Sequence, residues 1–146
     1  MLDQLTKVWA VRELADGPRS LVGTDVQLQL SRNTGGAFSL FQGMTPIIAV
    51  LAIVLVAFLV RAAKRTDGVV AVVALALVLG GAIGNLTDRV FRSPGFLEGA
   101  VVDFVRVGSF PTFNVADSAI TVGAILLIGW SLLGGRRGRG DAEAPA

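Results

Sequence analysis

Three stretches of the chain carry no charged residue: 33–60, 68–87 and 118–135. Their apolar cores reach or approach the roughly 17 to 25 residues that a spanning helix needs. A core helix of a soluble domain would show a polar face every three or four residues, and these stretches do not. The pattern predicts transmembrane helices over 45–60, 68–87 and 118–135, within one membrane-embedded domain covering 1–146. Outside them the periodicity changes. Val26-Gln27-Leu28-Gln29-Leu30 alternates apolar and polar residues, the mark of a half-exposed strand. A short helical stub is expected through Val8-Trp9-Ala10-Val11, followed by a turn at Asp16-Gly17-Pro18. Asn33-Thr34-Gly35-Gly36 breaks the chain before the first span, and Pro46 falls in that span's first turn, where proline is tolerated. The second span ends in Gly80-Gly81-Ala82-Ile83-Gly84-Asn85, small residues that let helices approach closely in lipid. The fold class expected is mainly α: an integral-membrane helical bundle.

Charge gives this bundle an orientation. Only 16% of residues are charged and 53% are hydrophobic, against about a quarter charged in an ordinary soluble domain. Arg61, Lys64 and Arg65 follow the first span, and Arg136, Arg137 and Arg139 follow the third. Positive flanks stay in the cytoplasm, which sends 1–44 and 88–117 to the outer side. Residues 136–146, rich in Gly, Arg and Ala, read as a disordered cytoplasmic tail. Nothing ahead of 1–44 could carry that segment across, so a first transmembrane helix is expected to be missing, with Leu2 to Lys7 reading as its end. The net charge of +2 reflects membrane anchors; no basic stripe with interleaved aromatics suggests nucleic acid.

The chain has no Cys and no His. That excludes disulfides, thiol catalysis and Ser-His-Asp arrangements, and leaves no metal or cofactor expected. Carboxylates remain. Asp103 and Asp117 each sit in an apolar stretch beside a membrane-length segment, where a carboxylate is costly and reads as functional. Gly108 and Pro111 between them permit a reversal that brings both to one spot. Two close carboxylates cannot both ionise at low dielectric, so one acts as base on a water while the other, protonated, polarises a carbonyl. In isolation Asp117 reads equally as a helix N-cap; Asp103, flanked by four apolar residues, does not. Asn85 is an amide inside the bilayer and calls for a partner; Asp88 and Arg89 read first as interfacial anchors and helix caps, and only second as a mutual pair that helps orient substrate or a carboxylate. Asn33 and Asn114 share the ambiguity of Asn85. A Ser/Lys peptidase built on Ser31 or Ser39 with Lys7 has no supporting spacing. A small transporter or channel subunit would show repeats and mid-membrane charges, and the chain shows neither.

Taken in order, Asp3-Gln4-Leu5-Thr6-Lys7, Asn33-Thr34-Gly35-Gly36-Ala37-Phe38, Gly84-Asn85-Leu86-Thr87-Asp88-Arg89, Val102-Asp103-Phe104 and Phe113-Asn114-Val115-Ala116-Asp117-Ser118 resemble the lipoprotein signal peptidases, the signal peptidase II family. The resemblance implies a multi-pass aspartic endopeptidase of the bacterial inner membrane, with four spans and a small extracytoplasmic β-sheet. It implies cleavage of diacylglyceryl-modified prolipoproteins before the lipidated cysteine, at the outer face. By motif position Asp103 and Asp117 would be the catalytic dyad. Asn33, Gly35, Asn85, Asp88, Arg89, Asn114, Asp3 and Lys7 would bind substrate or support the site. Membrane lipids and globomycin-type cyclic peptides are the further partners implied, with a monomer sufficing. Gly36 and Ser39 depart from the residues frequent there, and 89–103 is a long connector. Pro94, Gly95 and Gly99 suggest that it forms a lid.

Overall fold

The computed structural model describes residues 1–35 and 44–134. Gly36, Ser39 and the tail 136–146 lie outside the described residues. The elements run α1 (Leu2–Glu13), β1 (Arg19–Val22), β2 (Val26–Asn33), α2 (Thr45–Ala63), α3 (Val69–Phe91), β3 (Val101–Val107) and α4 (Val115–Gly134). Helices α2, α3 and α4 are long and apolar enough to cross a membrane. Each extends past the span read from charge alone. The extra turns of α3 matter most, because they place Asp88 and Arg89 on the helix rather than after it.

Helix α3 is the central post of the bundle. Ala71, Ala74, Leu75, Val78, Gly81 and Ala82 are buried along it, while α2 and α4 leave Leu51, Val54, Phe58, Ile125 and Ile128 exposed. Such outward apolar faces belong against lipid. Helices α3 and α4 meet through glycines: a Cβ at Gly81 would lie 2.7 Å from Ile120 Cγ1, and one at Gly123 would lie 2.6 Å from the Ala74 carbonyl oxygen. Close backbone approach of this kind maximises packing where no hydrophobic drive separates protein from lipid.

The sheet is antiparallel in the order β1-β2-β3. Strand β2 pairs Ser31 with Asp103 and Asn33 with Val101, with an irregularity between Leu28 and Ser31. Helix α1 packs under the sheet: Ala10 and Leu14 join Phe104 in a small core, and Trp9 meets the Phe104 ring edge-on at 6.4 Å. Phe104 and Asp103 therefore leave β3 on opposite faces. After β3 the chain turns at Gly108, whose φ of 52° lies in the left-handed region. It folds back so that Phe113 and Val105 exchange backbone hydrogen bonds of 2.9 Å. This return brings the start of α4 beside Asp103.

Within the 89–103 segment expected to form a lid, Arg89, Val101 and Asp103 line the cavity, whereas 92–100 is tied to the end of α3. Gly99 donates its N–H to the Arg89 carbonyl at 3.0 Å, and Ala100 donates to Ser93 at 3.3 Å. A Cβ on Gly99 would collide with the Asp88 carbonyl. None of residues 92–100 lines the central cavity.

Candidate active site

A cavity of about 690 Å³ opens where the sheet meets the bundle. Asn33, Asn85, Arg89, Asp103 and Asp117 face it, among apolar neighbours such as Ile48, Val101, Phe113 and Ile120. The two aspartates, 14 residues apart in sequence, share one chamber.

Asp117 is not an N-cap. Asn114 takes that place, accepting the Asp117 N–H on Oδ1 at 3.0 Å, while Asp117 Oδ2 accepts the Asn114 N–H at 3.1 Å. This reciprocal pair is a capping box, with an Asn and an Asp three residues apart. It uses one oxygen of Asp117 and holds the carboxylate in the first turn of α4. The other oxygen, Oδ1, accepts from Asn85 Nδ2 at 2.8 Å. Asp103 is held in the same manner by two amides, Asn114 Nδ2 at 2.6 Å and Asn33 Nδ2 at 3.1 Å. Asn33 sits diagonally across the β2–β3 pair from Asp103, within reach of a side chain. Gly35 donates its N–H to Asn33 Oδ1 at 3.1 Å, turning the amide nitrogen towards Asp103.

Asp103 is only 2% exposed. Burial first, and then the negative charge of Asp117, push its carboxyl up to about 6, against the pull of the Asn33 and Asn114 amides. Asp103 thus keeps its proton to higher pH than an ordinary aspartate.

Beside the two carboxylates lies a second cluster, centred on the fully buried Lys7 and Asp88 side chains. Lys7 Nζ stands 2.9 Å from Asp3 Oδ2 and 2.9 Å from Asp88 Oδ2, and donates to Asn85 Oδ1 at 2.8 Å. Asp88 pairs with Lys7 and with Arg92, whose Nε lies at 2.6 Å, and not with Arg89, the partner offered by the second of the two readings. Two residues on one helix that are neighbours in sequence point apart, whereas Arg92, four positions on, lies on the same face. Asp88 Oδ2 also accepts the Val102 N–H at 3.1 Å, which ties the start of β3 to α3. Asp3 Oδ1 accepts the Ala116 N–H at 3.0 Å, satisfying an otherwise free donor of the first turn of α4. A Cβ on Gly84 would lie 2.6 Å from Asp3 Oδ2, so only glycine admits α1 this close. Arg89 donates to the Asn85 carbonyl at 3.3 Å. Its Nε is, among the described residues, the one buried side-chain polar atom left without a partner.

Every site residue read from the sequence therefore falls in or directly beside one chamber. Gln4 and Arg92 were not singled out there, although both bond Asp88. The four-residue spacing of Asp88 and Arg92 was the available signal for the second; nothing local points to Gln4.

Known proteins carry this arrangement further. The family model described as signal peptidase (SPase) II matches residues 1–133. The chain is 49% identical over 133 residues to a lipoprotein signal peptidase of Rhodococcus jostii, covering 90% of this chain and 67% of that protein. It is 45% identical over 152 residues to the lipoprotein signal peptidase of Mycolicibacterium smegmatis, covering 99% and 65%. The chain thus spans about two thirds of the length of these relatives. A bacterial membrane enzyme solved by the in meso method at 2.3 Å superimposes with a TM-score of 0.82 at 29% identity, over 99% of this chain and 88% of that one. A second, solved at 1.9 Å, gives 0.75 at 31% identity, over 90% and 85%. With three membrane-length helices, a three-stranded antiparallel sheet and two carboxylates facing one chamber, the chain is an integral membrane protein that belongs to the signal peptidase II family.

Proposed function

We propose that this chain is an aspartic endopeptidase that removes signal peptides from diacylglyceryl-modified prolipoproteins, cutting before the lipidated cysteine, with Asp103 and Asp117 as its catalytic dyad. The observation that carries this reading is the shared cavity in which each carboxylate is held by side-chain amides and Asp103 is pushed up to about 6. Asp117 takes a proton from a water held between the two side chains. The resulting hydroxide attacks the scissile carbonyl while protonated Asp103 hydrogen-bonds to its oxygen. Collapse of the tetrahedral intermediate breaks the C–N bond, and the proton held by Asp117 passes to the leaving amine. Arg89, buried at the cavity wall with an unpartnered Nε, supplies positive charge and a donor to the backbone of the bound peptide. Asn33, Asn85 and Asn114 support the dyad; Gly35 orients Asn33, and Asp3, Lys7 and Asp88 hold the elements together.

The apolar wall formed by Ile48, Ile120 and Val122 suits the lipid-modified part of such a substrate, approaching from the bilayer. In this reading the protein lies in the bacterial inner membrane with the cavity near its outer face, acts as a monomer among membrane lipids, and is blocked by globomycin-type peptides that occupy the dyad. Purified protein in detergent, given a lipidated prolipoprotein and its unlipidated precursor, is expected to shorten only the first, and globomycin is expected to stop the reaction. Equal cleavage of both, or indifference to globomycin, would exclude this substrate class. A non-enzymatic transporter or channel role has no feature of the cavity in its favour.

A further inference from the structure

We propose that Lys7 is a positioning residue of the reaction: its ammonium holds the Asn85 carboxamide in the orientation that aims an N–H at Asp117. The inference rests on the dyad reading above. An ammonium has three donors and no acceptor. Those of Lys7 are taken by Asp3, Asp88 and Asn85 at 2.8 to 2.9 Å, and the side chain is 0% exposed. Asn85 must therefore present its oxygen to Lys7, which turns its nitrogen to Asp117 Oδ1 at 2.8 Å. The reversed amide would face two N–H groups against the ammonium and its oxygen against a carboxylate.

A second donor at Asn85 Oδ1 reinforces the choice, since Asn114 Nδ2 reaches it at 3.1 Å. That amide is itself committed, because its own oxygen accepts the Asp117 N–H. Removing Lys7 leaves Asn85 Oδ1 with the single, neutral and longer bond from Asn114 in place of two donors. The charged groups facing Lys7 are Asp3 on α1 and Asp88 on α3, the latter also paired with Arg92. A charge that bonds neither dyad member thus governs the donor that one of them receives.

The test is a double-mutant cycle on cleavage of a lipidated prolipoprotein, with Asp117→Asn as the control. Lys7→Met is combined with Asp3→Asn, so that the cluster keeps its charge balance through Asp88 and Arg92. The pair is expected to lose roughly a hundredfold in kcat with KM little changed, the scale of a misplaced catalytic group. Introduced into an Asn85→Ala background, the same pair is expected to cost nothing further, because the route from Lys7 to Asp117 is already cut. Lys7→Gln with Asp3→Asn, still able to donate to Asn85, is expected to recover part of the loss. If the Met form fails to fold by thermal unfolding, the Gln form is taken through the same cycle with the same expectation of no further loss. Unchanged kcat, or losses that multiply with Asn85→Ala as for an independent structural role, would overturn the inference while an inactive Asp117→Asn leaves the dyad standing. Cleavage by Asp117→Asn would instead overturn the dyad reading itself.

Discussion

Replacing Asp103 by asparagine is expected to abolish cleavage and to make the folded protein more resistant to rising pH. The carboxyl is raised from an ordinary 3.8 to about 6, first by burial and next by the charge of Asp117. A raised carboxyl favours the fold while it is protonated. Its contribution is therefore fully present below about pH 4 and is lost as pH climbs through about 6. The interval corresponds to about 3 kcal/mol, with little screening at 2% exposure. Asparagine cannot ionise, so the variant escapes this loss. It incurs a fixed cost instead: Asn114 and Asn33 each aim an N–H at one oxygen of residue 103, and the new NH₂ must face one of them, at about 1 to 3 kcal/mol. The variant is thus expected to start below wild type at pH 4 and to gain about 3 kcal/mol relative to it by pH 7. Thermal or denaturant unfolding in detergent across pH 4 to 8 measures this difference. A gap between variant and wild type that does not change with pH would refute the argument.

Other consequences follow from the same contacts. The free-enzyme profile, kcat/KM against pH, is expected to fall on its alkaline side near pH 6, as Asp103 loses its proton. Because the Asn33 amide holds that value down, Asn33→Ala is expected to move the fall to higher pH while slowing the reaction; a fall that stays put or moves lower would contradict the assignment. Asp88→Ala leaves the Lys7 ammonium with Asp3 as its one charged partner and releases the Val102 N–H. It is expected to destabilise the fold by about 3 to 5 kcal/mol, read as a lowered unfolding midpoint at fixed detergent. Gly81→Val drives a side chain into Ile120 and the Ala116 carbonyl and is expected to cost about 1 to 3 kcal/mol. The same exchange at Gly80, where a Cβ meets nothing, is the control.

The spanning helices were legible because charge is excluded from lipid, and charge-free stretches of such length are conspicuous in 146 residues. Their ends were less so. Helix α3 runs on to Phe91 because Asp88 and Arg92 find partners beneath the sheet, and a local reading meets those charges as a membrane boundary. Strand β2 announced itself by alternation, whereas β3 did not: Val101, Val102, Asp103 and Phe104 are buried on both faces, so the period of two disappears. The Asn114–Asp117 spacing is a capping box in plain sight, yet at first Asp117 alone reads as the N-cap; in the structure Asn114 caps α4, and Asp117 gives one oxygen to the Asn114 N–H and the other to Asn85. The Lys7 cluster was beyond local reading, since its partners Asn85 and Asp88 lie about 80 residues away. Only the order of the motifs, through the family resemblance, hinted that Asp3 and Lys7 mattered.

The most direct test of the account is cleavage of one lipidated prolipoprotein by this chain and by its Asp103→Asn and Asp117→Asn forms, all checked for folding and followed by mass spectrometry of the new N-terminus. The account predicts a product beginning at the lipidated cysteine from the unaltered chain and no product from either variant. Cleavage by one or both variants at a rate near that of the unaltered chain would contradict it.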